Sequence, residues 1–170
     1  MKHNPIVSRD EWLAARKQHL QKEKELTRLR DELSAARREL PWVRIDKPYV
    51  FEGPRGRRTL ADLFDGSSQL MTYHFMLGPD WPEGCPSCSF LADHIDGALV
   101  HLKQRNVKVM AVSRAPYLQI APFKRRMGWQ FDWVSSHGTD FNYDFQASHT
   151  PQDISNNTAY YNYELLEYPA

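Results

Sequence analysis

The feature that most constrains this chain is an alternation of buried-type runs with helical stretches in its second half. "QLMTYHFML" from Gln69 to Leu77, "VKVMAVS" from Val107 to Ser113 and "FDWVSS" from Phe131 to Ser136 are short, apolar and rich in β-favouring residues. Between them, "SFLADHIDGALVHLKQRN" places Phe90, Leu91, Ile95, Leu99 and Leu102 at helical spacing. A second helix is expected from Pro116 to about Met127, because a proline in the first turn lacks only an N–H that the helix does not use. Strand, helix, strand, helix, strand implies right-handed crossovers and a mainly parallel sheet covered by helices. The first run, being nearly continuous in apolar residues, is expected to be buried on both faces.

Ahead of this pattern lies a different segment. Ser8 and Glu11 have the spacing of a capping box, and no Gly or Pro follows before Pro41, so a long helix is expected. Leu26, Leu29, Leu33, Ala36 and Leu40 form one stripe along it, and Arg28 can pair with Glu32 on the outer face. The stripe is too short for a sustained coiled coil and suits an arm packed on its own domain or on a partner subunit. Residues 1–40 therefore read as a helical arm and residues 41–170 as one α/β domain. "YVFEGPRGRRTLADLF" reads as a strand, a turn at Gly53 to Gly56 and a helical turn, and "TPQD" as a helix start with Thr150 as cap and Pro151 in the first turn.

Composition narrows the function. In 170 residues the formal net charge is only +1, which gives no field to draw the protein to nucleic acid or to an anionic membrane. "MKHNPIVSRDEW" has no apolar signal-peptide core and no run is long enough to cross a bilayer, so a cytoplasmic protein is expected. In a reducing cytosol the only two cysteines, Cys85 and Cys88 in "GCPSCSF", point to redox catalysis, metal binding or coincidence rather than to a structural staple.

Their position favours redox chemistry. Cys85 falls after a strand and just where a helix begins, with Pro86 as a candidate first helical residue. Free N–H groups and the positive end of the helix dipole lower a thiol pKa there, and the thiolate is the nucleophile. Cys88, one turn on, can resolve a mixed disulfide by closing on Cys85. A zinc site lacks its usual second C-x-x-C or H-x₃₋₅-H pair, so no metal and no cofactor is expected. His94 and His101 read as surface or half-buried, His74 as a satisfied core histidine, and His137 as the one distant histidine that could approach the thiols. Arg114, at the end of a parallel strand, is a candidate for holding an anionic substrate, with a solvated loop arginine as the alternative. Trp81 and Pro86 are further substrate-contact candidates, while Trp129, Phe131 and Trp133 can line a groove or fill the core. The aromatics of "FNYDF" read as core and turn residues.

The segments "FEGPRGRRTLADLFDGSSQLMTYHFML", "GCPSCSFLADHIDGALVHL", "VKVMAVSRAPYLQIAPFKRRMGWQFDWVSS" and "GTDFNYDFQAS" resemble domain-of-unknown-function family 899, an uncharacterised thioredoxin-like family. The resemblance covers nearly the whole chain, with "GCPSC", "SRAP", "RMGW" and "DFNYDF" as its most specific pieces. It implies a thioredoxin-like, peroxiredoxin-related sheet, and within that superfamily the nucleophile and resolving roles fall on Cys85 and Cys88. A peroxidase site carries Ser or Thr three residues before its cysteine, whereas this chain has Glu83 near that position and Pro79 six residues before Cys85. Family members continue past a segment like "YYNYELLEYPA" into a further strand pair and helix, so the sheet is expected to lack its C-terminal strand pair. The continuation is also where related folds place a cis-proline, for which Pro151 is the nearest substitute. The edge of "QLMTYHFML" is then exposed, which implies a homodimer.

The expected activity is that of a thiol–disulfide oxidoreductase acting on a protein or small-molecule thiol or disulfide. The alternatives are a non-catalytic thioredoxin-like interaction protein, a peroxidase, or a thiolate and histidine metal-binding protein.

Overall fold

A computed structural model describes residues 4–165. The chain divides into two compact units, Met1–Asp46 and Lys47–Ala170. The first is built on helix α1, Arg9–Arg38, which opens as its sequence requires: the Ser8 hydroxyl accepts the Glu11 N–H, and the Glu11 carboxylate accepts the Ser8 N–H at 2.9 Å. No residue of α1 is buried, and Leu26, Leu29 and Leu33 are exposed. Arg16, rather than Arg28, supplies the ion pair along it, to Glu23, which the His19 ring also approaches at 3.4 Å.

The second unit holds a five-stranded sheet. A hairpin of β1 (Val50–Gly53) and β2 (Gly56–Thr59) runs into the short helix α2 (Leu60–Leu63). Then come β3 (Gln69–His74), α3 (Pro86–Asp96), α4 (Leu99–Gln104), β4 (Val107–Ser113), α5 (Tyr117–Met127) and β5 (Asp132–Ser135). The spatial order is β2-β1-β5-β4-β3, with β3, β4 and β5 parallel and β1 antiparallel to both of its neighbours. After β5 follow α6 (Phe141–Asp144), α7 (Pro151–Ser155) and a separate small ribbon of β6 (Tyr160–Tyr161) and β7 (Glu164–Leu165). This mixed sheet with its crossover helices is the thioredoxin-like arrangement that the resemblance implies. Among the described residues no strand pairs with the outer edge of β3. The last five residues of the tail segment lie outside those described.

Alternation along the strands divides the core into two layers, because successive side chains of a strand point to opposite faces. Ala111 and Trp133 join Phe75, Leu77, Cys88, Ala92, Ile120, Trp129 and Phe131 on the face covered by α3 and α5. Met110, Val112 and Val134 join Tyr49, Phe51, Leu63 and Phe141 on the other. Trp129, Phe131 and Trp133 are thus core residues, and Trp133 donates its indole N–H to the Ser113 hydroxyl at 3.0 Å. Among the described residues no helix is long and apolar enough to cross a membrane.

Four local expectations need correction. β3 is an edge strand with no fully buried residue, since among the described residues no strand pairs with its outer side. The segment after the cysteines is two helices broken at Gly97, so His101 leaves the cysteine-bearing helix; Phe90 and Leu91 face outward, while Cys88 and Ala92 carry the buried side. The stretch Gly56–Thr59, which carries no apolar alternation, is a second strand held by its ladder to β1. His74 is not satisfied: its ring stacks on Phe141 with centroids 5.4 Å apart, and its buried Nδ1 has no hydrogen-bond partner.

Candidate functional site

The cysteine pair sits where the chain leaves β3 and enters α3. The loop between them folds back on itself, with the Cys85 N–H donating to the Met76 carbonyl at 3.0 Å. Cys85 is the N-cap of α3 with extended backbone, and Pro86 occupies the first turn. Since Pro86 has no N–H, the first donors the helix offers are those of Ser87 and Cys88. The Cys88 N–H, followed by the Cys88 side chain and the Ser87 N–H, holds the Cys85 thiol below its ordinary pKa against the opposing effect of burial.

The two thiols differ in access. Cys85 is half-buried, whereas Cys88 is only 8% exposed and packs into the α3–α5 core. Both are free. Tyr73, from β3, donates its hydroxyl to the Cys88 carbonyl at 3.4 Å, and burial together with the two sulfurs pushes its phenol well above the ordinary range. Gly84 passes between two rings: a Cβ there would lie 2.7 Å from both Phe123 Cζ and Phe75 Cε1. Only a residue without a side chain lets the loop approach that closely. On the rim, Glu83 makes a two-pronged ion pair with Arg126 of α5, which keeps its carboxyl below the usual carboxylate range.

The remaining candidates fall elsewhere. Pro86 is exposed beside Cys85. Trp81 and Arg114 instead line a cleft of about 570 Å³ at the C-terminal ends of the parallel strands, together with His74, Met76, Asn142 and His149. Neither cysteine lines it. The cleft and the thiols share the loop from Met76 to Cys85, since Met76 lines the one and its carbonyl anchors the other. Arg114 is half-buried, with its guanidinium carbon 4.8 Å from the centre of the Tyr143 ring. His137 stands against the Arg114 carbonyl, Nδ1 to O 3.1 Å, and makes no hydrogen bond to a cysteine. His94 and His101 are exposed. Among the described residues no three His, Cys, Asp or Glu side chains gather as a metal cage. Pro151 opens α7 with Thr150 as its cap, as the sequence indicates. Phe141 is buried core, Phe145 is exposed, and the segment between them is helical rather than a simple turn.

Sequence reasoning missed Tyr73, Phe123 and Gly84 as neighbours of the thiols and Asn142 as part of the cleft. Tyr73 was within reach, because it shares strand parity with Phe75 and Leu77 and so points to the cysteine-bearing face. The others depend on contacts across the fold.

No curated protein is significantly similar to the chain. Among solved structures, the chain is similar to the crystal structure of a Cys-to-Ser mutant of PrxQ from Xylella fastidiosa, at 18% identity and a TM-score of 0.44, over 64% of this chain and 67% of that one. It is also similar to BsSco, a member of the Sco family of cytochrome c oxidase assembly proteins, at 15% identity and a TM-score of 0.42, over 63% and 68%. A family profile described as bacterial protein of unknown function (DUF899) matches residues 1–169, and the chain belongs to that family.

Proposed function

We propose that the protein is a thiol–disulfide oxidoreductase that cycles between a Cys85/Cys88 dithiol and a Cys85–Cys88 disulfide. The observation that carries this reading is the place of Cys85 at the N-cap of α3, half-buried, one turn before the buried Cys88, where the first turn of the helix holds its thiol below the ordinary pKa. A thiol so held ionises more readily than an ordinary cysteine, and its sulfur is partly exposed, as a nucleophile must be.

In the forward half-reaction the Cys85 thiolate attacks one sulfur of a substrate disulfide. A bond forms between Cys85 and that sulfur, and the other substrate sulfur leaves as a thiolate that takes up a proton. Cys88, deprotonated, then attacks Cys85 and expels the second substrate thiolate. Two electrons pass to the substrate, which ends as two thiols, and the protein ends as its disulfide. Pro82 stands three residues before Cys85, where a peroxidase would use a hydroxyl to orient peroxide, and neighbouring Glu83 is committed to its pairing with Arg126. The reading therefore takes a disulfide rather than a peroxide as substrate.

Alkylation tests it. Cys85 reacts with iodoacetamide near pH 6.5 much faster than Cys88, because its thiol is held below its ordinary pKa and is accessible, whereas Cys88 is buried. Equal and slow labelling of both thiols would favour the non-catalytic interaction protein instead.

A further inference from the structure

The cleft at the C-terminal ends of β3 and β4 has an excess of hydrogen-bond donors. Arg114 carries five N–H donors on a half-buried side chain, yet among the described residues its guanidinium has neither an ion pair nor a hydrogen bond and rests only on the Tyr143 ring. Lys108, a partly buried cation elsewhere in the same unit, shows the usual solution: it bridges Asp65 at 3.1 Å and Asp132 at 2.6 Å. Arg114 lacks that complement.

Asn142 adds a second unmet donor. It is only 4% exposed and lines the cleft. Its Oδ1 accepts the Ser136 hydroxyl at 2.6 Å, and its backbone carbonyl accepts the N–H groups of Ala147 and Ser148. Its Nδ2 has no partner among the described residues. That nitrogen is not sealed from solvent, so an acceptor on a molecule bound in the cleft that Asn142 lines can reach it. The single acidic side chain of the lining, Asp80, is exposed on the rim, where water screens it. The rest of the wall includes Met76, Leu77, Trp81 and Ile154, and Trp81 is 43% exposed with its indole folded over Gly78.

We infer that this cleft binds a small molecule with one carboxylate and an apolar or aromatic body, the carboxylate held by Arg114 and Asn142 and the body lying against Trp81 and Met76. The planar guanidinium fork matches a carboxylate in two parallel hydrogen bonds. One guanidinium balances one negative charge, whereas a doubly charged phosphate calls for a second cation. The site lies outside the carboxyl ends of parallel strands, where open α/β sheets take their ligands. It does not depend on the thiols, since neither cysteine lines the cleft.

Phenylacetate is the probe, added to reduced full-length protein and followed by isotope-edited amide spectra and by calorimetry. Saturable shifts are expected at the Trp81 indole N–H, the Asn142 side-chain amide and the Arg114 backbone, with acetate binding more weakly and inorganic phosphate weaker than phenylacetate. Arg114→Gln should weaken phenylacetate at least about tenfold while its circular dichroism matches the wild type. Cys85→Ser should bind phenylacetate like the wild type, so that loss of the redox reading would leave this one standing. Absence of saturation up to about 10 mM, shifts confined to other residues, or tighter binding of phosphate would overturn the inference. So would unchanged affinity in a folded Arg114→Gln variant; if that variant does not fold, the wild-type shifts decide.

Discussion

The Tyr73 hydroxyl reaches from β3 into the first turn of α3 and donates to the Cys88 carbonyl at 3.4 Å, which ties the strand before the cysteines to the helix that carries them. The same hydroxyl interacts with the Cys88 side chain, and both sulfurs act on the phenol. In the reduced protein the hydroxyl stands near the sulfur that must leave when the disulfide is opened, and its proton can turn from the Cys88 carbonyl to that sulfur as it becomes a thiolate. A donor to that sulfur favours the dithiol. Tyr73→Phe should make the Cys85–Cys88 couple about 10–30 mV more reducing, the equivalent of one neutral hydrogen bond in a two-electron couple. Equilibration against glutathione measures it. An unchanged potential would mean that the hydroxyl serves packing alone.

Gly84 is held to its identity by two rings, and it immediately precedes the nucleophile. A Cβ 2.7 Å from Phe123 and from Phe75 forces one ring or the loop to move, and Phe75 is fully buried. Gly84→Ala is expected to cost about 1–3 kcal/mol, in the range of overpacked cores. Displacing the loop also strains the Cys85 N–H bond to Met76. Urea denaturation should show a lower midpoint, and the rate advantage of Cys85 over Cys88 in alkylation should shrink. A variant with the wild-type midpoint and labelling ratio would show that the rings yield freely.

The contrast between Gly84 and Cys85 shows what could be read from the chain and what could not. The place of Cys85 at a strand–helix junction, the capping box at Ser8, the Thr150 cap, and the run of alternating strands and helices are all local, carried by residues within a turn or two of each other. They stand in the structure. The edge position of β3 was legible only through the argument about a missing neighbour strand, because an apolar run reads alike whether one face or two are covered. The strand Gly56–Thr59 has no pattern of its own and exists because β1 pairs with it. Gly84, Phe123 and Phe75 meet only after the α5 crossover, and Asn142 reaches the cleft from a segment after β5, so no spacing in the sequence announces either group.

His74 should make stability fall in mild acid. Burial lowers its folded-state pKa from the ordinary value of about 6.5, and its Nδ1 has no acceptor to favour the charged ring. The unfolded chain therefore binds the proton more readily than the folded one. The contribution of neutral His74 is complete above the unfolded pKa and is lost as pH falls through the lower, folded value. Urea midpoints of the wild type and of His74→Phe, compared at neutral and mildly acidic pH, isolate the effect. The loss on acidification should be smaller in the variant. Equal losses would assign the acid sensitivity to other groups.

The unpaired outer edge of β3 leads to the expectation of a homodimer. Among the described residues its free N–H and C=O groups face no other strand, and Met71 adds exposed apolar surface on it. Such an edge is self-complementary: two copies related by a twofold axis can pair β3 with β3 antiparallel and bring their Met71 side chains into the contact. A charge placed on the edge opposes that pairing, which is how natural edges are protected. Light scattering at micromolar concentration should therefore give a dimer for the wild type and a monomer, or a much weaker dimer, for Met71→Lys. A monomeric wild type would mean that this edge remains open to solvent or is covered within one chain. A dimer indifferent to Met71→Lys would place the contact on a surface other than β3.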